Sequence, residues 1–218
     1  MSMALLKVNH PKSDSKGRVV VIVNPSQPTD PASWGDPSGV ARATPGYTMP
    51  AIINEIPITR AMPPTGFKSW ENLVVDRSAR SMKPLKLTPG KKASAGAVIH
   101  EPDGRVWLVE PTNGFWGYVR TFPKGTNEPH YSLAATAAKE VFEETGLLVE
   151  VGAPLIDTER SKSVCRYFLG RRIGGDPSDM GWETQAVCLV PLAQLLKMLP
   201  SEYDTPIVKE LMMTLKAT

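Results

Sequence analysis

Three glutamates, Glu140, Glu143 and Glu144, recur at spacings of three and four residues shortly after the run Phe122-Pro123-Lys124-Gly125. On an α-helix, which turns about 100° per residue, their carboxylates fall within an arc of roughly 100°. Carboxylate oxygens gathered on one face are the ligands that Mg²⁺ prefers in proteins. The spacing therefore favours a divalent-cation site, although three glutamates alone are also typical of a solvated acidic face.

The segment that carries these glutamates has the start and stop signals of a helix. Ser132 is a preferred N-cap residue, Leu133 to Thr145 contains no glycine or proline, and Gly146 stands where a left-handed C-cap belongs. Four apolar residues share another arc of this helix and are expected to pack on a core. They are Ala134, Ala138, Val141 and Phe142.

Glu143 and Glu144 lie in the last turn of the predicted helix, where the negative end of the helix dipole disfavours acidic side chains. The cost is roughly 0.3–1 kcal/mol for each glutamate. Repulsion between carboxylates three and four residues apart adds to it. A segment that breaks local rules in this way usually has a functional reason, and a bound cation would reverse the sign of the effect.

The whole stretch from Gly125 to Leu147 resembles the Nudix box, the signature of hydrolases that act on nucleoside diphosphates linked to another moiety. The pattern is G-x5-E-x7-R-E-U-x-E-E-x-G-U, in which U is aliphatic. The matching residues are Gly125, Glu140, Val141, Glu143, Glu144, Gly146 and Leu147.

Two positions depart from this pattern, because Tyr131 replaces its first glutamate and Lys139 replaces its arginine. Family members use those two residues to support the helix. The resemblance therefore implies that the salt bridge is replaced here by a lysine–tyrosine contact at best. Lysine keeps the charge of arginine but lacks its planar fork, so activity is expected to be weakened or tuned to another geometry.

The resemblance covers about residues 91 to 218 and implies an α/β fold, the Nudix-type α/β/α sandwich, with a mixed β-sheet between helices. Residues 94–99 and 106–109, joined by the turn Asp103-Gly104, are expected to form a β-hairpin like the one that opens these domains. Residues 186–190 are expected to form a later strand, followed by an apolar-periodic segment from Leu192 to Leu199.

The resemblance also implies the roles of the site residues. Mg²⁺, or alternatively Mn²⁺, would be held by Glu140, Glu143, Glu144 and the backbone carbonyl of Lys124. The box itself would be supported by Gly125, Tyr131, Lys139 and Gly146. Glu140 is the leading candidate for the catalytic base and Glu183 is its rival, since spacing alone does not decide between them. A surface glutamate in a turn is the alternative interpretation of Glu183.

Basic and aromatic residues near the box are candidates for substrate binding. They are Arg120, Lys124, Arg166 and Trp116. Solvation of the surface is the alternative for the basic residues, and packing beside the sheet is the alternative for Trp116. Pro123-Lys124-Gly125, in place of the commoner Pro-Gly-Gly, resembles members that act on dinucleoside polyphosphates or diphosphoinositol polyphosphates. ADP-ribose-type sugars and damaged nucleoside triphosphates are alternatives.

The prediction is therefore a Mg²⁺-dependent hydrolase that cleaves a pyrophosphate bond in a nucleoside diphosphate derivative or a similar polyphosphate. The alternative is a catalytically weak or inactive Nudix-fold module that binds a nucleotide or a protein. Tyr131 and Lys139 favour that alternative, whereas the intact Glu140, Glu143 and Glu144 oppose it.

Residues 1–90 differ in composition from the rest of the chain, since they hold 12 of its 21 prolines. They contain too few apolar periodic segments for an independent core. We expect a Pro-rich extension, partly strand-forming at residues 19–23, that docks on the catalytic domain or on the mate in a homodimer. Disorder through much of residues 24–60 is the alternative.

Composition limits the remaining classes. A net charge of +3 is not a strong nucleic-acid footprint. Cys165 and Cys188 lack CxxC spacing and are expected to be buried thiols in a reducing compartment. The chain shows neither the apolar region of a signal peptide nor a run of roughly 18 apolar residues. A cytoplasmic enzyme with a small-molecule substrate and no membrane partner is expected.

Overall fold

The computed structural model describes residues 6–117 and 119–217, without the side chains of residues 115–117. The strands are β1 (Lys7–Asn9), β2 (Val21–Val23), β3 (Ala41–Ala43), β4 (Ile52–Ile53), β5 (Ile56–Pro57), β6 (Lys92–Ile99), β7 (Arg105–Pro111), β8 (Lys124–Thr126), β9 (Leu147–Glu159), β10 (Ser163–Gly175) and β11 (Thr184–Pro191). The α-helices are α1 (Gly66–Glu71), α2 (Arg77–Arg80), α3 (Leu133–Thr145), α4 (Leu195–Met198) and α5 (Thr205–Ala217).

Two sheets form the centre of the molecule. The first has the strand order β8-β6-β10-β9; its β6 and β10 are parallel, whereas the other two pairs are antiparallel. The second has the order β3-β11-β7 and is antiparallel throughout. The predicted mixed sheet is therefore confirmed, and a second sheet lies beside it.

Alternation of side chains along the strands creates two hydrophobic cores. Ala97 and Ile99 on β6 belong to the core that includes α3, whereas Val98 between them belongs to the core that includes α5. In β11, Leu189 and Val190 divide between the two cores in the same way. Helices α3 and α5 thus cover opposite faces, which gives the predicted α/β/α sandwich.

The prediction that β6 and β7 pair as a hairpin is wrong, because the two strands belong to different sheets. A turn joins the strands, with Gly104 N–H donating to the Glu101 carbonyl at 3.0 Å and a single bridge between His100 and Val106. Beyond that bridge the strands diverge, because β6 pairs with β8 and β10 whereas β7 pairs with β11.

The segment before β6 packs on the same cores. Strand β3 extends the second sheet through β11, and Trp34 and Trp70 are buried with residues of α3. Residues 24–60, for which disorder was the alternative, thus include a strand of the central sheets. The strand expected at residues 19–23 is β2, which pairs with β1 instead of joining those sheets. A domain boundary at residue 90 stays a prediction.

Cys165 and Cys188 are buried free thiols, as predicted. Across residues 6–117 and 119–217, no helix combines the length and apolar character needed to cross a membrane.

Candidate active site

Helix α3 begins and ends where the cap residues predict. Ser132 Oγ accepts a hydrogen bond from Ala135 N–H at 3.0 Å, and Gly146 adopts φ 71° while its N–H donates to the Phe142 carbonyl at 2.8 Å. Ala134, Ala138 and Val141 are buried on the core side. The helix therefore presents its glutamates on a firmly held scaffold.

The loop that leads into β8 is in contact with two of these glutamates. The backbone N–H of Lys124 donates to Glu144 Oε2 at 2.9 Å. A Cβ built on Gly125 would lie 2.0 Å from Glu140 Oε2, which is closer than any side chain could approach. The Pro-Lys-Gly run thus leaves room for the Glu140 carboxylate and anchors the Glu144 carboxylate.

The fourth carboxylate, Glu183, comes from the loop of residues 176–183 between β10 and β11. A Cβ on Gly181 would lie 2.1 Å from the Glu143 carbonyl oxygen, so this loop passes directly against the last turn of α3. The Glu183 carbonyl also accepts a hydrogen bond from Thr112 N–H at 2.7 Å. Glu183 is thereby brought to the same cleft as the glutamates of the box.

Burial, with repulsion between carboxylates, raises the pKa values of Glu140, Glu144 and Glu183. Burial, followed by repulsion from Glu144 and Glu143, raises the pKa of Glu140 to about 8. Burial also raises the pKa of Glu144 to about 7, although the positive charge of Lys124 and the hydrogen bond from its backbone N–H both lower it. The pKa of Glu183 is raised because protein surrounds its carboxylate and Glu143 lies near, while Lys124 opposes the shift. Four acidic groups and one ammonium therefore share the cleft.

The support of the box differs from the lysine–tyrosine contact that was expected, and that expectation is wrong. Lys139 Nζ lies 2.9 Å from Glu128 Oε1 and 2.7 Å from Glu143 Oε2. Although partial burial works against its charge, the hydrogen bonds to Glu143 and Glu128 raise the pKa of Lys139. Tyr131 instead packs against the core of α3. Glu128 thus supplies the carboxylate that position 131 lacks.

The donor set fits a Mg²⁺ or Mn²⁺ ion in its chemistry. In the described parts of the chain, no three Asp, Glu, His or Cys side chains already form a ligating group. Mg²⁺ keeps several of its waters, so a few carboxylates that are not closed into a cage suffice. Burial and the neighbouring carboxylates raise the pKa values of Glu140 and Glu144, and a bound cation would favour their ionised forms. Ligation by the Lys124 carbonyl stays a prediction.

The predicted substrate-binding residues lie in different settings. Arg166 is buried, donates to both carboxylate oxygens of Asp157 at 2.7 Å and donates to the Lys83 carbonyl at 2.9 Å. This geometry gives no support to a phosphate contact by Arg166. The ammonium of Lys124 acts on Glu144 and Glu183, whereas the Trp116 side chain lies outside the described residues.

Arg120 belongs to a basic cluster that the sequence reasoning missed. Its Nε lies 2.7 Å from Glu110 Oε1, so the two side chains form an ion pair. The Nε–H bond does not point at that oxygen and makes no hydrogen bond to it. Arg42 Nε lies 3.2 Å from the same oxygen, and Ser26 Oγ donates to Glu110 Oε2. Arg42 lies far upstream on β3, so no spacing signal links it to Arg120.

Comparison with known proteins assigns the family. Residues 90–211 match the NUDIX domain. Similar solved structures include a NUDIX hydrolase from Nitrosomonas europaea, with 16% identity, a TM-score of 0.49 and coverage of 57% of this chain and 90% of that chain. An ADP-ribose pyrophosphatase from Streptococcus suis has 25% identity, a TM-score of 0.47 and coverage of 60% and 92%.

A further similar structure is an Ap4A hydrolase from C. elegans, with 17% identity, a TM-score of 0.46 and coverage of 58% and 99%. The assignment depends on the domain match, which spans more than half of the chain and contains Glu140, Glu143, Glu144 and Glu183. The chain therefore belongs to the NUDIX family.

Proposed function

We propose that the protein hydrolyses a phosphoanhydride bond in a nucleoside diphosphate derivative or a similar polyphosphate, with Mg²⁺ as its cofactor. Within this class we favour dinucleoside polyphosphates or diphosphoinositol polyphosphates. The observation that carries the proposal is the meeting of two acidic elements, α3 with Glu140, Glu143 and Glu144, and the 176–183 loop with Glu183. Lys124 supplies a positive charge between them.

The main obstacle to this reaction is the negative charge of the pyrophosphate, which repels the attacking nucleophile. The residues of the cleft are proposed to lower this repulsion. Bound Mg²⁺ would neutralise phosphate oxygens and polarise the attacking water. The Lys124 ammonium is the proposed partner of a phosphate oxygen, and the Lys124 backbone N–H holds Glu144. Glu140, in the space that Gly125 leaves open, is the proposed acceptor of the water's proton, with Glu183 as its rival.

The Arg42–Arg120–Glu110 cluster supports a substrate with several phosphates. Its two guanidinium groups meet one carboxylate, which leaves one positive charge that is not neutralised within the cluster. Thr112, whose N–H binds the Glu183 carbonyl, is two residues from Glu110, a distance of about 7 Å along an extended chain. In this proposal, a polyphosphate held at the carboxylates binds a further phosphate at the arginines.

The proposal is tested by the turnover of a substrate panel with Mg²⁺. The panel contains dinucleoside polyphosphates, diphosphoinositol polyphosphates, ADP-ribose and nucleoside triphosphates, and the products are separated by ion-exchange chromatography. Glu144→Gln should lose at least about 100-fold in kcat, since it removes a charge that acts in the cleft. Glu150→Gln, which breaks only a pair with the exposed Arg171, is the matched control. A wild-type protein that turns over no member of the panel contradicts the proposal.

A further inference from the structure

The segment upstream of the NUDIX match holds both ends of helix α3. At the N-terminal end, Ser132 donates its backbone N–H to Glu71 Oε1 and its hydroxyl to Glu71 Oε2, each at 2.9 Å. Trp70, next to Glu71 on α1, meets Phe142 of α3 edge to face, with ring centroids 5.9 Å apart. The N-cap of α3 is thus fixed by a residue outside residues 90–211.

At the C-terminal end, the same upstream segment holds the 176–183 loop. Lys12 Nζ lies 3.0 Å from Asp179 Oδ1, and Arg60 Nε lies 3.2 Å from Asp179 Oδ2. Gly46 N–H also donates to the Ser178 carbonyl at 3.0 Å. Three separate points of the upstream segment therefore converge on two neighbouring residues of this loop, Ser178 and Asp179.

The loop transmits this restraint to the acidic cleft. Asp176 N–H donates to the Gly146 carbonyl at 3.1 Å, just past the end of α3, and Gly181 lies against the Glu143 carbonyl. Glu183 follows two residues later. A shift of Asp179 would therefore change the separation between Glu183 and Glu143, and the geometry offered to a cation depends on that separation.

We propose that Lys12, Arg60 and Glu71 are positioning residues for the carboxylate site. Glu71 acts through Ser132 on the position of α3, whereas Lys12 and Arg60 act through Asp179 on Glu183. The inference depends on the proposed function, because it takes the carboxylates of α3 and Glu183 as the cation-binding groups. In this proposal, the cleft built within residues 90–211 needs side chains from residues 12–71 to hold its geometry.

The first experiment changes the Asp179 pairs in the full chain. Lys12→Met combined with Arg60→Met is compared with Arg18→Met, which breaks an exposed ion pair with Asp14 within the upstream segment. Mn²⁺ binding is measured without substrate by electron paramagnetic resonance, and thermal unfolding is followed in parallel. The two pairs lie near the surface and are only partly buried, and such pairs contribute little to stability, so the Tm should stay close to that of the control.

The expected result is a loss of Mn²⁺ affinity of about tenfold in the double variant, the lower end of what changes behind metal ligands cause. Arg18→Met should bind Mn²⁺ as the wild type does. Lys12→Arg with Arg60→Lys keeps both charges and should restore most of the affinity. Glu71→Gln, which keeps one acceptor for Ser132, should lose affinity by a smaller factor than Glu71→Ala.

Two outcomes overturn the inference while leaving the proposed function intact. One is unchanged Mn²⁺ affinity in the double variant and in Glu71→Ala. The other is a loss of affinity that follows a fall in Tm and appears equally in Arg18→Met, which indicates a general structural effect. A wild-type protein that binds no Mn²⁺ overturns the cation site itself, and the positioning role falls with it.

Discussion

At the scale of single residues, the positions of the carboxylates were predictable from the sequence, whereas their supports were not. Glu140, Glu143 and Glu144 share a face because helical periodicity is a local property. The partner of Lys139 depends on how the loop before α3 folds, and that loop delivers Glu128 instead of Tyr131. A pattern that fixes one position for the supporting glutamate cannot detect this displacement of three residues.

Glu128→Gln should lower kcat/KM by about tenfold, because Lys139 would lose one of the two carboxylates that hold it beside Glu143. Steady-state kinetics with the best substrate of the panel measure the effect. Tyr131→Phe is the control and should have little effect, since Tyr131 serves mainly to pack on the core. Loss of activity in Tyr131→Phe with normal activity in Glu128→Gln would restore the tyrosine as the support.

The two thiols should not react with Ellman's reagent in the native protein. Burial, followed by the charge of Glu110, raises the pKa of Cys188 to about 12, and burial also raises the pKa of Cys165. At pH 8 a thiol of that pKa is ionised to about one part in 10⁴, and the thiolate is the reactive form. Both thiols should be titrated after denaturation. Rapid reaction of either one without denaturant would contradict the buried positions.

At the scale of elements, local signals fixed α3 well and strand pairing poorly. Ser132 and Gly146 mark the helix ends because caps depend on neighbours within a few residues. The hairpin was wrong because the partners of β6 and β7 lie far along the chain, on β10 and β11. The position of Glu183 beside α3 likewise required the tertiary path of the 176–183 loop.

Gly125→Ala should reduce kcat by about 100-fold with little change in Tm, because the added methyl would occupy the space of the Glu140 carboxylate. Displacing a catalytic group by about 1 Å can cost a factor of that size. Gly174→Ala is the matched control, since nothing lies within 4 Å of the Cβ that it adds and its φ is not positive. Equal kinetics of the two variants would show that Glu140 does not need this space.

At the scale of the whole molecule, composition predicted that residues 1–90 would not form their own core, and family resemblance supplied the sandwich. Their burial follows from two buried tryptophans, Trp34 and Trp70, which join the core of α3. The sequence left open where this segment docks, because the ion pairs of Lys12 and Arg60 with Asp179 join residues far apart in the chain. The acidic cleft is thus completed by distant parts of the chain.

The crowded carboxylates also make stability depend on pH and on the cation. The pKa values of Glu140 and Glu144, about 8 and about 7, lie above the value of 4.5 for an unperturbed glutamate. The folded state therefore binds more protons than the unfolded state, and without a cation stability is lost as pH rises from about 4.5 to about 8. In EDTA, we therefore expect Tm to fall steadily over this range.

Mg²⁺ at a saturating concentration should remove most of this fall, because it binds the ionised carboxylates of the folded state. Differential scanning calorimetry between pH 5 and pH 8.5, with and without Mg²⁺, measures both slopes. Glu140→Gln combined with Glu144→Gln should flatten the slope in EDTA and abolish the Mg²⁺ effect, since neither side chain can then ionise. If the double variant kept the wild-type slope, other groups would have to cause the pH dependence, and the cleft would not be the place where protons and Mg²⁺ compete.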